Sequence, residues 1–414
     1  MSILTLNCGS SSVKYAVWPP GLDRVLCRGL VERVGAENSR LVHQQGDQRR
    51  SLERACPDHT AAVGLVLEVL TEGDTAPLAD AGAIDAVGHR VVHGGEAFAR
   101  SARVTPELLG AVERMVELAP LHNPPNLAGM RAVAALLPEV AQVAVFDTAF
   151  HQSMPPAAYT YALPHEWYER YGIRRYGFHG TSHLYVAHRA AVLLDRPLAE
   201  LRLVTLHVGN GASACAVERG RAVDTSMGLT PLEGLVMGTR CGSIDPAIPL
   251  HMMQRLQLDA AAMDRVLNKQ SGMLGLTGRH VDRRDVLAAA AEGDERCRTA
   301  LAVEARTLAK TIGAYAAVMG GLDAVVFTAG VGENAPPIRA AALRELAFLG
   351  LQLDAGRNQR AVGGAEMAIT KPQSPTAALV IPTDEERVIA EDTQAIVQDR
   401  YDTPDFHYTF ARPD

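Results

Sequence analysis

One local pattern is written twice along this chain, once near its N-terminus and once in its middle. Ile3 to Trp18 (ILTLNCGSSSVKYAVW) reads as an apolar strand, a Gly/Ser turn and a second strand. Leu203 to Gly228 (LVTLHVGNGASACAVERGRAVDTSMG) reads as strand, Gly/Asn turn, strand, and a reversal at Arg219-Gly220 into a further strand. A duplicated unit, one copy in each half, is the economical prediction. Strands alternating with helices follow each hairpin. Ile84 to Gly95 and Val140 to Phe150 are buried strands ending in polar residues, with the helix-like PNLAGMRAVAALL between them. In the second half Leu301, Leu308, Ile312, Tyr315 and Met319 share one helical face ahead of the strand DAVVFTAG. This order implies an α/β architecture with a sheet in each domain. From PTDEERVIAEDTQAIVQ onward the chain predicts a helix and then a polar tail.

A length of 414 residues with 47% hydrophobic and 21% charged content suits a folded chain of two or three domains, large enough for an enzyme with a cleft. Forty basic against forty-seven acidic residues leave a net charge of -7, the wrong sign for neutralising phosphates along a nucleic acid, so no nucleic-acid partner is expected. The six cysteines contain no C-x-x-C pair, which argues against a zinc site or a disulfide framework and for a reducing, cytoplasmic setting. No basic n-region precedes a long apolar stretch, and no run of about 18 apolar residues occurs, so neither a signal peptide nor a membrane span is expected. Lysine stands only at Lys14, Lys269, Lys310 and Lys371, which singles out Lys14 beside the first turn.

A tight turn of small residues lets several backbone amides point at one anion, and a nearby lysine adds a point charge. The run from Asn7 through Gly9, Ser10, Ser11 and Ser12 to Lys14 has that composition between two strands, whereas a Walker loop joins a strand to a helix. The run from His207 through Gly209, Asn210 and Gly211 is its counterpart, although Asn-Gly is also a common hairpin signal. A third glycine loop, Gly330-Val331-Gly332-Glu333-Asn334, leaves the strand DAVVFTA ahead of a helix beginning near Pro336 and Pro337, where backbone can approach a ligand closely. Three such loops, each leaving an apolar strand, point to a nucleotide lying across both halves.

Arg90 (GHRVVHGG) and Arg240 (MGTRCGSIDP) stand beside glycines, and two converging guanidiniums would bind a carboxylate and stabilise charge on a transferring phosphoryl group. With 36 arginines in the chain, an ordinary surface ion pair is the plain alternative for either. Asp147 follows the strand VAVF, where open α/β sheets place ligands, although turn and N-cap aspartates are common. His122, His179 and His183 lie in Gly/Asn/Pro-rich segments; His179, between Phe178 and Gly180, is the candidate for contact with a phosphoryl group.

Taken together, LNCGSSSVKY, GHRVVHGG, LAPLHNPPN, FDTAFHQSMP, RYGFHGTSH, LHVGNGASACAVERGRAVDTSMGLTPLEGLVMGTRCG, FTAGVGEN and IPTDEE resemble the acetokinase family nearly end to end, within the superfamily of acetate and sugar kinases, heat-shock chaperones and actin. The resemblance implies duplicated actin-like, ribonuclease H-like βββαβαβα domains facing across a nucleotide cleft, in a homodimer. The first would comprise 1–149 plus 385–414, closed by the C-terminal helix, and the second 150–384. The implied activity is reversible transfer of the ATP γ-phosphoryl group to acetate, giving acetyl phosphate and ADP, with Mg2+, or Mn2+ in its place.

Carried over by position, Arg90 and Arg240 match the arginines that bind acetate and the phosphoryl group, and Asp147 the essential aspartate. His179 matches the phosphoryl histidine, with His122 nearby. Asn7, Ser10, Ser12 and Lys14 match the first phosphate segment, and His207 with Gly209, Asn210 and Gly211 the second. Gly330, Val331, Gly332, Glu333 and Asn334 match the adenosine segment, joined by Asp282, Arg283 and Arg284. Glu385 matches the acidic residue linked to the metal, which Asn7 and Asp147 would reach through water. Val92, Leu121, Phe178 and Pro231 match the apolar pocket for the acetate methyl. Such a pocket separates one methylene by only about 1–3 kcal/mol, so propionate or another short-chain acid is the alternative substrate. Two departures from the family pattern are Ser243 and Pro336-Pro337, expected to affect how Arg240 is held and how the helix near adenine begins.

The implied chemistry is direct in-line attack by an acetate oxygen, already ionised at pH 7, on the γ-phosphorus, with no general base. A chaperone or filament protein of the same superfamily would need a client or assembly surface, and the chain ends too soon after TDEE for a client domain. A sugar kinase would need a base and a polar pocket. A nicotinamide-dependent dehydrogenase is disfavoured because no G-x-G-x-x-G follows the first strand.

Overall fold

Side-chain alternation along the first strand feeds two cores at once. In the computed structural model, which describes residues 1–73 and 76–412, Leu4, Leu6 and Cys8 of β1 (Ile3–Gly9) pack with Val63, Val66 and Leu70 of the helix His59–Thr71. Ile3 points the other way, into a cluster with Trp18 and Ala390. The remaining strands of the first sheet are β2 (Ser12–Trp18), β3 (Cys27–Glu32), β4 (Arg40–Gln45), β5 (Gln48–Glu53), β6 (Ala86–Val91), β7 (Ala102–Arg103) and β8 (Ala141–Phe146). Their order is β5-β4-β3-β2-β1-β6-β8-β7. β1 pairs antiparallel with β2 and parallel with β6, which pairs parallel with β8. The C-terminal helix Glu385–Val397 crosses this sheet closely enough that a Cβ on Gly88 would sit 2.4 Å from the Thr393 hydroxyl, so β6 needs glycine there.

The second sheet contains β9 (Arg202–Val208), β10 (Ala212–Glu218), β11 (Arg221–Thr225), β12 (Ala324–Thr328), β13 (Met367–Ala368) and β14 (Ala377–Val380), in the order β11-β10-β9-β12-β14-β13. Five strands in each sheet correspond: β3-β2-β1-β6-β8 in the first and β11-β10-β9-β12-β14 in the second, antiparallel in the first three and parallel in the last three. The duplication read from two hairpins thus extends through both sheets, each with helices on it, as the resemblance implies. The helix Glu295–Val318 buries Leu308, Ile312 and Tyr315, the face read from the sequence.

The chain divides into two compact units, one formed by Met1–Ala149 with Asp384–Thr409 and the other by Phe150–Thr383 with the chain from Phe410 on. The sequence assigns 385–414 to the first unit; the division passes Phe410 to the second, and residues 413–414 lie outside the described residues. Nor is the tail simply polar. Tyr401 and Tyr408 direct their hydroxyls at Asp392 in the first unit, and Phe410, 2% exposed, packs against Tyr185 in the second.

Candidate active site

In the first unit, the parallel strands β6 and β8 end side by side and deliver Arg90 and Asp147 to each other. Arg90 donates Nε to Asp147 Oδ1 at 2.9 Å and Nη2 to Oδ2 at 2.5 Å, a bidentate pair. The carboxylate is 1% exposed and the guanidinium 21%. Burial opposes the Arg90 charge, but Asp147, through its charge and hydrogen bonds, and then Glu385 hold the guanidinium more firmly protonated than usual. Burial also pushes the Asp147 carboxyl above the ordinary aspartate value; Arg90 draws it back and Glu385 raises it further. Glu385 therefore stands within electrostatic reach of the pair, in the first turn of the C-terminal helix that Asp384 caps.

The first turn closes at Gly9 opposite Ser12, leaving Ser10 and Ser11 exposed at its tip, and Asn7 lies directly across the ladder from exposed Lys14. The charge of Lys14 reaches Glu386, beside Glu385. Val92 is buried and its N–H donates to Asn126 Oδ1 at 3.0 Å, while Leu121 is 56% exposed. His122 precedes the helix Asn123–Leu136 without a side-chain cap bond. Among the described residues no three His, Cys, Asp or Glu side chains form a metal cage. Mg2+ usually keeps waters and takes one or two carboxylates plus substrate phosphates, and Asn7, Asp147 and Glu385 fit that kind of donor set.

In the second unit, β9 and β10 close through Gly209-Asn210-Gly211, with Val208 opposite Ala212. The Asn210 side chain lies against Gly238, where a Cβ would fall 1.9 Å from its Oδ1, and the Gly238 N–H donates to the Asn210 carbonyl at 2.9 Å. This close approach holds the Arg240 loop to the turn. A Cβ on Gly211 would lie 3.5 Å from Arg240 Nη1 and 3.6 Å from His179 Cε1, so turn, arginine and histidine converge. Arg240 is half-buried; it donates Nη1 to the Pro231 carbonyl at 2.8 Å and has no carboxylate against it among the described residues, so burial alone lowers its pKa. His179 holds φ +58 immediately before the helix Gly180–Leu193, a left-handed conformation that costs a non-glycine residue about 1–2 kcal/mol. Its ring stacks on His207 at 4.1 Å, and His207 Nδ1 lies 2.8 Å from Ser182 Oγ. Phe178 is buried, its carbonyl 3.0 Å from His151 Nε2.

The third glycine segment is not a loop. Ala329–Asn334 forms a short helix directly after β12, and a second helix, Pro336–Leu343, starts past a break at Ala335. Pro336 and Pro337 occupy its first positions, where no N–H is needed. Glu333 accepts from the Thr383 N–H at 3.2 Å and the Thr328 hydroxyl at 3.4 Å, and Asn334 Oδ1 accepts from the Gly363 N–H at 3.0 Å. Asp282 caps the helix Arg283–Ala291 and pairs with exposed Arg284. Arg283 is buried with its guanidinium on Glu304, at 2.9 and 3.1 Å, and so holds two helices together. Ser243 and Gly234 exchange hydrogen bonds of 3.1 and 2.9 Å, closing the loop that carries Arg240.

A model of the acetokinase family matches residues 2–391. The chain belongs to the acetokinase family. It is 54% identical over 417 aligned residues to an acetate kinase of Geobacter sulfurreducens, covering 100% of this chain and 99% of that one. It is 52% identical to an acetate kinase of Thermotoga maritima, with 96% and 99% covered. The fold superposes on the crystal structure of Porphyromonas gingivalis acetate kinase with a TM-score of 0.92 at 45% identity, covering 96% and 99% of the two chains. It superposes on a propionate kinase of Francisella tularensis with a TM-score of 0.88 at 40% identity, covering 95% and 99%.

Several residues that shape these acetokinase segments escape a reading by motif. Asn126 bridges the end of β6 to the end of β1 by accepting from Val92 and donating to the Cys8 carbonyl at 2.8 Å, and Asn123 exchanges bonds with the His93 backbone. Both stand in LHNPPN, beside the leucine and histidine that the motif draws attention to. Arg339, fully buried, donates to the carbonyls of Gly332, Glu333, Asn358 and Ala361 and to Asn358 Oδ1, and so caps the short helix Ala329–Asn334 from beneath. Glu233 takes Tyr161 at 2.5 Å and Arg175 at 2.8 Å, bracing the Pro231 loop. Nothing local in the sequence marks Arg339 or Glu233.

Proposed function

We propose that this chain is an Mg2+-dependent acetate kinase, transferring the γ-phosphoryl group of ATP directly to acetate. The observation that carries the reading is Arg240: a half-buried cation with no carboxylate against it among the described residues, beside His179 and the amide-rich Gly209–Gly211 turn. A desolvated charge of this kind is costly until an anion joins it, and a transferring phosphoryl group is such an anion. Arg90 differs in already holding Asp147, which fixes one guanidinium edge while Nη1 and the second N–H of Nη2 remain for a carboxylate.

In this mechanism Arg90 positions acetate, whose oxygen attacks the γ-phosphorus as the bond to the β-phosphate oxygen breaks and ADP leaves. Arg240 and His179 receive the charge on the equatorial oxygens. Lys14, Ser10 and Ser12 hold phosphates from the first turn and His207 with Gly209–Gly211 from the second, while Asp282, Arg284 and the Gly330–Asn334 segment hold the nucleoside. Arg283 contributes by holding its helix. Bound Mg2+, held through Glu385, Asp147 and Asn7, would neutralise phosphate charge. Val92, Leu121, Phe178 and Pro231 line the methyl pocket.

A homodimer in the cytoplasm, with domains 1–149 plus 385–414 and 150–384, completes the proposal. Propionate is the second reading, supported by the likeness to a propionate kinase. A coupled assay of acetate, propionate and butyrate with ATP and Mg2+ tests both: kcat/KM should be highest for acetate, and carboxylate-independent ATPase activity alone would overturn the reading.

A further inference from the structure

His179 meets a hydroxyl, and that hydroxyl meets a second, wholly buried histidine. Ser213 Oγ lies 2.9 Å from His179 Nδ1 and 2.8 Å from His183 Nε2, and His183 Nδ1 lies 2.7 Å from Thr205 Oγ1. Thr205, His183 and Ser213 are all fully buried. Each hydroxyl has one proton to place, which makes the direction of the chain decidable.

Thr205 has two acceptors in range, His183 Nδ1 at 2.7 Å and the Cys215 carbonyl at 3.5 Å, the outer limit of a hydrogen bond. The hydroxyl proton therefore goes to Nδ1. Burial, and then the neighbouring His151 and His207, hold His183 neutral, with its pKa well below the usual value. A neutral ring that accepts at Nδ1 carries its proton on Nε2, so His183 donates to Ser213. The Ser213 proton is then directed at His179 Nδ1, and a neutral His179 bears its own proton on Nε2.

We propose that Thr205, His183 and Ser213 form a one-way hydrogen-bond chain that locks His179 as its Nε2–H tautomer, so that Nε2–H is the donor turned to the substrate. That the substrate atom is a phosphoryl oxygen rests on the kinase reading above; the tautomer does not. His183, Ser213 and Thr205 act as positioning residues. A ring with the opposite tautomer would turn a lone pair toward an anion.

Selective 15N labelling of the histidine rings, with His179 assigned by the signals lost in His179→Gln, reads the tautomer directly. The wild-type protein should show Nε2 protonated and Nδ1 bare. Thr205→Val removes the proton that orients the chain, and should give a mixture of the two His179 tautomers and a kcat lower by roughly 10-fold. KM for ATP should stay within about twofold, and Thr205→Ser should restore both the single tautomer and kcat. A wild-type spectrum with Nδ1 protonated overturns the proposal, as does an unmixed Nε2–H signal in Thr205→Val. An inactive protein with the Nε2–H signal would refute the kinase reading and leave the chain of bonds standing; an active kinase with Nδ1–H would do the reverse.

Discussion

Asp147 receives one whole edge of the Arg90 guanidinium, Nε at 2.9 Å and Nη2 at 2.5 Å, with the carboxylate almost fully buried. Removing either partner leaves the other charge without compensation in a desolvated place. Asp147→Ala is expected to cost about 3–5 kcal/mol of stability in urea unfolding. Because Arg90 loses its orientation, kcat/KM for acetate should also fall by about 100-fold or more. A double-mutant cycle with Arg90→Ala should show strong coupling, and additive losses would mean that the pair does not act as a unit.

Arg240 predicts the opposite sign for stability. Its guanidinium is desolvated with no carboxylate against it among the described residues, so Arg240→Met should leave the Tm of the free protein level or raised. The same change should lower kcat by about 1,000-fold or more, with KM for ATP changed only a few-fold. Scanning calorimetry and steady-state kinetics on one preparation check both halves.

Arg339 tests the support beneath Gly330–Asn334, the segment proposed to hold the nucleoside. Arg339→Met deprives the buried carbonyls of Gly332, Asn358 and Ala361 and the part-buried carbonyl of Glu333 of their donor, at an expected cost of about 3 kcal/mol or more. KM for ATP should rise while KM for acetate stays unchanged, as separate substrate titrations would reveal.

Asp392 makes stability depend on mildly acidic pH. Burial lifts its carboxyl from 3.8 to about 6 despite hydrogen bonds from Ser101, Tyr408 and Tyr401. Between those values the folded protein binds the proton more tightly than the unfolded chain, so stability falls as pH rises through the window and is flat above it. Asp392→Asn should flatten this dependence in denaturation curves taken from pH 4 to 7.

Val92 sets the size of the methyl pocket in the proposed mechanism. Val92→Ala should shift the ratio of kcat/KM toward propionate by roughly 10-fold or more, within the range one methylene allows. An unchanged ratio would remove Val92 from the pocket.

Local pattern carried much of this architecture. The hairpin turns at Ser10-Ser11 and Gly209–Gly211, the strands β6, β8 and β12, and the buried face of the helix Glu295–Val318 all follow from alternation, turn residues and helical spacing. The Gly330–Asn334 segment misleads because two glycines ordinarily break a helix. Here a Cβ on Gly332 would lie 3.5 Å from the Phe327 backbone, and Arg339 secures the helix end. Arg283 reads as a ligand contact until Glu304, 21 residues on, is seen to bury it. The tail reads as polar because its aromatic residues are spaced too widely for a periodic face, and their partners, Asp392 and Tyr185, come from elsewhere in the chain.

The helix Glu385–Val397, which covers β6 and β8, leaves the ribosome after every strand of the sheet it covers. Until Glu385–Val397 emerges, Val143 and Val145 lack the cover that Ile389 and Ile396 provide, and all of 150–383 is synthesised in the meantime. The nascent first unit must therefore wait with one sheet face open, so a chain stalled before residue 385 would expose apolar surface to chaperones and proteases even though its strands had all been made.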